Sequence, residues 1–163
     1  MTILGIDPGI ATIGFGVVNA VGGEYRAVEY GAIVTQPRQL LEARLLEIYD
    51  ETRALIERHR PDCVSIEELF FNNNAKTAVD VCQGRGVILL AAHQAGLEIY
   101  EYTPLQVKSA VVGYGRAEKK QVMYMTRLLL KLKETPKPDD AADALALAIC
   151  HGNHALHRFG TAR

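Results

Sequence analysis

Residues 2–9 read Thr-Ile-Leu-Gly-Ile-Asp-Pro-Gly, a short apolar strand that stops at an acid followed by a Pro-Gly turn signal. Working outward, residues 13–19 and 25–35 read as two further strands, and Val21-Gly22-Gly23-Glu24 supplies the hairpin turn between them. Three consecutive strands with tight connections predict an antiparallel meander. The apolar period then changes. Leu40, Leu41, Arg44, Leu45, Ile48, Thr52, Leu55 and Ile56 recur at helical spacing, predicting a helix over about 38–59 that Arg60-Pro61-Asp62 stops.

Cys63-Val64-Ser65-Ile66 is a short apolar run, a buried strand ending at Glu67. Asn72-Asn73-Asn74 offers a loop and a helix cap, with Asn73 favoured as the cap, before a helix over about 75–95 that contains Gly84-Arg85-Gly86. A fifth strand over 97–102 ends at Thr103-Pro104. Helices follow over about 104–112, 118–132 and 139–151, separated by Gly113-Tyr114-Gly115 and by Pro136 and Pro138. The order β-β-β-α-β-α-β-α-α-α predicts an α/β fold. Its sheet has five mixed strands, a meander plus two parallel strands, with helices on both faces.

At 163 residues the chain suits one domain with one core. No apolar run reaches the roughly 18 residues of a membrane span. The N-terminus carries no signal-peptide pattern, and no membrane partner is expected. Cys63, Cys82 and Cys150 are odd in number and widely spaced, which excludes a disulfide framework and a paired-cysteine zinc site and points to a reducing, cytoplasmic setting.

The net charge of −1 hides an asymmetry. Residues 1–103 carry 8 Lys and Arg against 14 Asp and Glu, whereas residues 104–163 carry 10 against 5. Three of those five acids, Asp139, Asp140 and Asp143, fall within five positions. A basic stripe beside a compact acidic cluster suits a polyanion held against bound metal ions, and equally a solvated helix face.

Asp7 and Glu67 each follow an apolar strand. If those strands are parallel neighbours, both carboxylates emerge at one sheet edge, where α/β folds bind ligands. Asp140 and Asp143 share a face of the last helix's first turn. Each acid alone also suits a turn, a strand end or a helix cap. Together, four converging carboxylates would repel one another, a conflict that an oxygen-preferring divalent cation such as magnesium removes.

The quoted residues resemble the RuvC-type Holliday junction resolvases. Ile3-Leu4-Gly5-Ile6-Asp7-Pro8-Gly9 is similar to their opening, and Ile66-Glu67-Glu68-Leu69-Phe70-Phe71 with the following asparagines to their second motif. Gln83–Gly86, Gln106-Val107-Lys108 with Val111-Val112-Gly113, Ala117–Val122 and Asp140–Ala146 follow in the family's order, covering about residues 2–151.

The resemblance implies a ribonuclease-H-like nuclease domain over 1–152, with a short tail over 153–163. It implies a homodimer that cuts four-way junction DNA by paired symmetric nicks in recombination and repair, and a RuvA–RuvB branch-migration complex as partner. Asp7, Glu67, Asp140 and Asp143 would be the metal-binding acids, Asp140 preferred to Asp139 by its spacing from Asp143. Two Mg2+ ions per site, with Mn2+ as a substitute, would leave 5′-phosphate and 3′-hydroxyl ends. Lys119 would place its charge at the phosphate. Lys108, Lys120 and Arg85 would hold the DNA backbone, while Phe70 would stack on an opened base and Asn74 would read a base edge or cap the next helix.

Three other readings share some of these residues. The opening motif also resembles the YqgF-like ribosomal RNA processing nucleases. Gly14 and Gly16 after Asp7 resemble the phosphate loop of actin-like sugar kinases, although 163 residues are too few for two lobes. A non-catalytic junction-binding module would need none of the four acids. Gly113-Tyr114-Gly115 fits a phosphate-binding loop or an ordinary turn. Tyr100 and Tyr102 fit strand packing, and His151, His154 and His157 a polar helix end or a metal site.

Overall fold

The computed structural model describes the backbone of residues 1–69 and 75–160, and the side chains of 1–69 and 78–156. The expected order holds: β1 (Thr2–Asp7), β2 (Thr12–Val21), β3 (Glu24–Val34), α1 (Leu41–His59), β4 (Cys63–Glu67), α2 (Ala75–Gln94), β5 (Glu98–Tyr102), α3 (Pro104–Val112), α4 (Lys119–Leu129) and α5 (Asp139–Gly160). The five strands form one sheet in the order β3-β2-β1-β4-β5. β1–β2 and β2–β3 pair antiparallel, and β1–β4 and β4–β5 pair parallel. This is the mixed sheet of the ribonuclease-H-like fold.

Strand alternation sorts the side chains between two cores. Leu4, Ile6, Val17, Val64 and Ile66 join Ile48, Leu55 and Ile88 of α1 and α2 on one face. Ile3, Val18 and Cys63 face the other, with Val107 of α3, Val122 of α4 and Leu145 and Ile149 of α5. On that second face the sheet is stripped of side chains where α5 crosses it. A Cβ on Gly5 would stand 2.0 Å from the Ala144 carbonyl oxygen, and one on Gly16 would stand 2.8 Å from the Leu145 side chain. Ser65 donates its hydroxyl to the Leu147 carbonyl at 2.8 Å, tying β4 to the same helix.

Element ends differ from expectation where side chains intervene. α1 begins at Leu41 instead of 38, because the Gln39 side chain accepts the Gln36 N–H at 3.1 Å and holds a turn there. α4 ends at Leu129 instead of 132: Lys131 is left-handed at φ 54, and the Leu132 N–H returns to the Arg127 carbonyl at 3.0 Å. α5 runs to Gly160, well past 151. Gly152-Asn153, inside this helix, is a packing device. Gly152 makes room for the Tyr25 ring, 2.5 Å from where a Cβ would stand, and Asn153 accepts the Tyr25 hydroxyl at 2.6 Å.

Candidate active site

Asp7 is the last residue of β1 and Glu67 the last of β4. Ile6 pairs with Ile66 in the parallel register, so the two acids lie side by side at the strand ends. Alternation from Ile3 and Cys63 turns both toward α5. Gly14 pairs with Asp7 across β1–β2, and a Cβ there would stand 2.0 Å from the Asp140 carbonyl oxygen. The glycines of β1 and β2 thus let α5 descend onto the sheet with its acidic first turn over Asp7. Gly14 and Gly16 serve helix packing rather than a phosphate loop.

The loop after Asp7 is braced from two sides. A Cβ on Gly84 of α2 would stand 2.4 Å from the Gly9 carbonyl oxygen, so this glycine permits a close backbone contact. Gly86 has nothing within 4 Å of its Cβ position. Thr35 donates its hydroxyl to the Ile10 carbonyl at 2.6 Å and accepts the Arg44 Nε–H at 2.8 Å. No sequence pattern marks Thr35 for this role.

Crowding of the carboxylates is visible in their proton affinities. Asp7 is pushed up to about 8, first by burial and then by Glu67, Asp143 and Asp140, with Lys119 pulling the other way. Burial also raises Glu67, and Asp143 adds to the shift while Lys119 opposes it. Lys119 is raised chiefly by its hydrogen bond to Asp143. Its ammonium donates to Asp143 Oδ2 at 2.9 Å and lies 3.6 Å from Asp139 Oδ2. Asp139 therefore faces Lys119, a partnership that adjacency to Asp140 in the sequence conceals.

A cleft of about 250 Å³ gathers Asp7, Glu67, Asp143, Lys108 and Lys119 over a floor that includes Val107 and Leu147. Part-buried carboxylates that disfavour one another's charge suit a hard divalent cation. Among the described residues, no three His, Cys, Asp or Glu side chains are gathered to hold an ion; Lys119 is bonded to Asp143 instead.

The remaining expected site residues lie outside the cleft lining or outside the described residues. Arg85 bonds Glu101 and reaches the Glu67 carbonyl at 3.4 Å. Lys120 is exposed on α4. Phe70 and Asn74, with Phe71, Asn72 and Asn73, lie outside the described residues, as does the His157 side chain. Gly113 caps α3 in the left-handed region at φ 98, its N–H donating to Ser109 at 2.9 Å. His151 is buried, bonded to the Tyr102 hydroxyl at 2.8 Å and stacked on Tyr100. These rings line a larger cavity of about 580 Å³ that also includes Met1, Asp62 and Glu98 and contains none of the four acids. Among the described residues, no helix is long and apolar enough to cross a membrane.

Residues 3–151 match the family model described as "Crossover junction endodeoxyribonuclease RuvC". The chain is 56% identical over 160 residues to the protein of that name from Ruminiclostridium cellulolyticum, covering 98% of this chain and 95% of the relative. It is similar to the Thermus thermophilus RuvC structure, with a TM-score of 0.90, 39% identity, and 99% and 98% of the two chains covered. It is also similar to T. thermophilus RuvC in complex with Holliday junction substrate, with a TM-score of 0.89, 37% identity and the same coverage.

Proposed function

Because the chain belongs to the RuvC family of crossover junction endodeoxyribonucleases, we propose that it resolves four-way DNA junctions at the cleft of Asp7, Glu67 and Asp143. The observation that carries this reading is the placement of Asp7 beside Glu67 at parallel strand ends, beneath the acidic first turn of α5. A module that merely bound DNA would gain nothing from part-buried carboxylates, which repel phosphate.

Asp7, Glu67, Asp140 and Asp143 would hold divalent cations, two Mg2+ per site with Mn2+ able to replace them. When bound, these ions supply an activated water and neutralise charge on the phosphate and its leaving oxygen. The chain's own residues position the substrate. Lys119, presented at the first turn of α4, faces the phosphate. Lys108 and Lys120 hold flanking phosphates of the backbone, and Arg85 joins them on leaving Glu101. Phe70 stacks on a base at the opened junction, and Asn74 contacts a base edge. The products are a 5′-phosphate and a 3′-hydroxyl.

A four-way junction has approximate two-fold symmetry, so a C2 homodimer presents two like sites to two strands of like polarity. Paired nicks then leave ligatable duplexes for recombination and repair. The nuclease domain spans 1–152, and a RuvA–RuvB complex would deliver the junction in the cytoplasm.

The test is nicking of a synthetic mobile four-way DNA junction, with and without Mg2+, with ends mapped on all four strands. Symmetric Mg2+-dependent nicks, abolished by Asp7→Asn with binding retained, are expected. Binding without nicks in Mg2+ or Mn2+ would overturn the reading, and preferential cleavage of structured RNA would move it to the RNA-processing class.

A further inference from the structure

Lys119 projects from the first residue of α4 toward the first turn of α5. Its ammonium meets Asp143 Oδ2 at 2.9 Å and Asp139 Oδ2 at 3.6 Å. These two acids lie four residues apart and so share a helix face. The helix end that carries Lys119 is held through Gln121. The Glu118 N–H and the Tyr114 hydroxyl both donate to Gln121 Oε1, each at 2.8 Å. A single cation from a fixed helix end is thus divided between an acid that lines the cleft and one that is 62% exposed outside it.

This division has a chemical consequence. A divalent ion coordinated by Asp143 and the Lys119 ammonium, which already occupies its Oδ2, would compete for one carboxylate and repel each other. Were Asp143 the sole partner, ion binding would turn the ammonium loose into solvent. Asp139 gives it a second partner on the same helix face, so an incoming ion displaces one contact and leaves the other. We propose that Lys119 is the resident counter-cation of the ion-free site, that it yields Asp143 to an entering divalent ion, and that Asp139 is the positioning residue which then keeps its ammonium at the mouth of the cleft. This rests on the reading that the acids bind divalent ions.

The experiment measures Mn2+ binding to the full chain without DNA, by electron paramagnetic resonance of the free ion. The chains compared are wild type, Lys119→Met, Lys108→Met, Asp139→Asn and the Lys119→Met/Asp139→Asn double variant. Lys119→Met should bind Mn2+ about two- to fivefold more tightly than wild type, the range spanned by a part-exposed ion pair. Lys108→Met, which removes a charge from the same cleft, should have a smaller effect. Asp139→Asn should weaken binding in the wild-type background, where it confines Lys119 to Asp143, and do nothing in the Lys119→Met background.

Equal effects of Lys119→Met and Lys108→Met would reduce the result to general electrostatics and overturn the competition. An Asp139→Asn effect that persists without Lys119 would overturn the positioning role. A wild-type chain that binds no Mn2+ would overturn the metal reading of the proposed function together with this inference. Binding by wild type with no gain in Lys119→Met would overturn this inference alone.

Discussion

The backbone of Gly14 on β2 lies directly against Asp140 at the start of α5, so close that a Cβ on the glycine would stand 2.0 Å from the aspartate's carbonyl oxygen. The atom met is backbone, which cannot rotate away. Gly14→Ala should therefore lift the first turn of α5 from the sheet, lowering stability by about 2–4 kcal/mol and abolishing cleavage. Gly86→Ala is the contrasting case. Its added methyl meets open space inside α2, and the chain should gain about 0.5–1 kcal/mol. Urea denaturation of both variants checks the pair; equal stabilities would refute the packing argument.

Asp7 makes ion-free stability depend on pH. Its folded value of about 8 lies far above the ordinary 3.8, so folding takes up a proton between those limits. For a group raised on folding, the stabilising contribution is fully present below the unfolded value and is lost as pH rises through the folded one. The chain, in chelator, should thus lose on the order of a few kcal/mol from pH 4 to pH 8 and little more beyond. Glu67 adds a shift in the same direction. Asp7→Asn should flatten most of the slope and be more stable than wild type at pH 8. Melts across this range decide it; an unchanged slope in Asp7→Asn would sink the assignment.

What was legible in the sequence follows from how local each signal is. The strand ends at Asp7 and Glu67 could be read because apolar runs stop there, and a parallel register alone then sets them side by side. The helix order followed from period and breakers. The run of α5 past 151 was not legible because Gly152 packs on the Tyr25 ring, which is distant in sequence. Gly14 and Gly16 were visible as glycines, but their partner is α5, more than 120 residues away. The pairing of Arg85 with Glu101 was not legible because it joins separate elements. Lys119 likewise showed its charge but not its two acids.

Thr35 is 2% exposed, and its hydroxyl connects the loop after Asp7 to α1. Thr35→Val preserves the shape but leaves the Ile10 carbonyl and the Arg44 Nε–H without this partner. A loss of about 1–3 kcal/mol is expected, with cleavage reduced because the loop that follows Asp7 is freed. Thr35→Ser keeps the hydroxyl and should recover most of both. Comparing unfolding midpoints and single-turnover rates tests this, and a Ser variant no better than Val would assign the effect to packing of the methyl group.

Gln121 fixes the start of α4, since its Oε1 accepts both the Glu118 N–H and the Tyr114 hydroxyl. Gln121→Ala removes both bonds at the helix end from which Lys119 projects. The cap should cost about 1 kcal/mol of stability. With Lys119 placed at the phosphate as we propose, and with α4 still folded, kcat should fall several-fold with KM little changed. Tyr114→Phe removes one of the two bonds and should fall between wild type and Gln121→Ala. The decisive comparison uses Lys119→Met as the background. There the ammonium is already gone, so loosening its anchor should have no further effect on the rate. A Gln121→Ala defect that persists without Lys119 would mean that the cap serves another element of the site, with α3 and its Lys108 the nearest alternative through Tyr114.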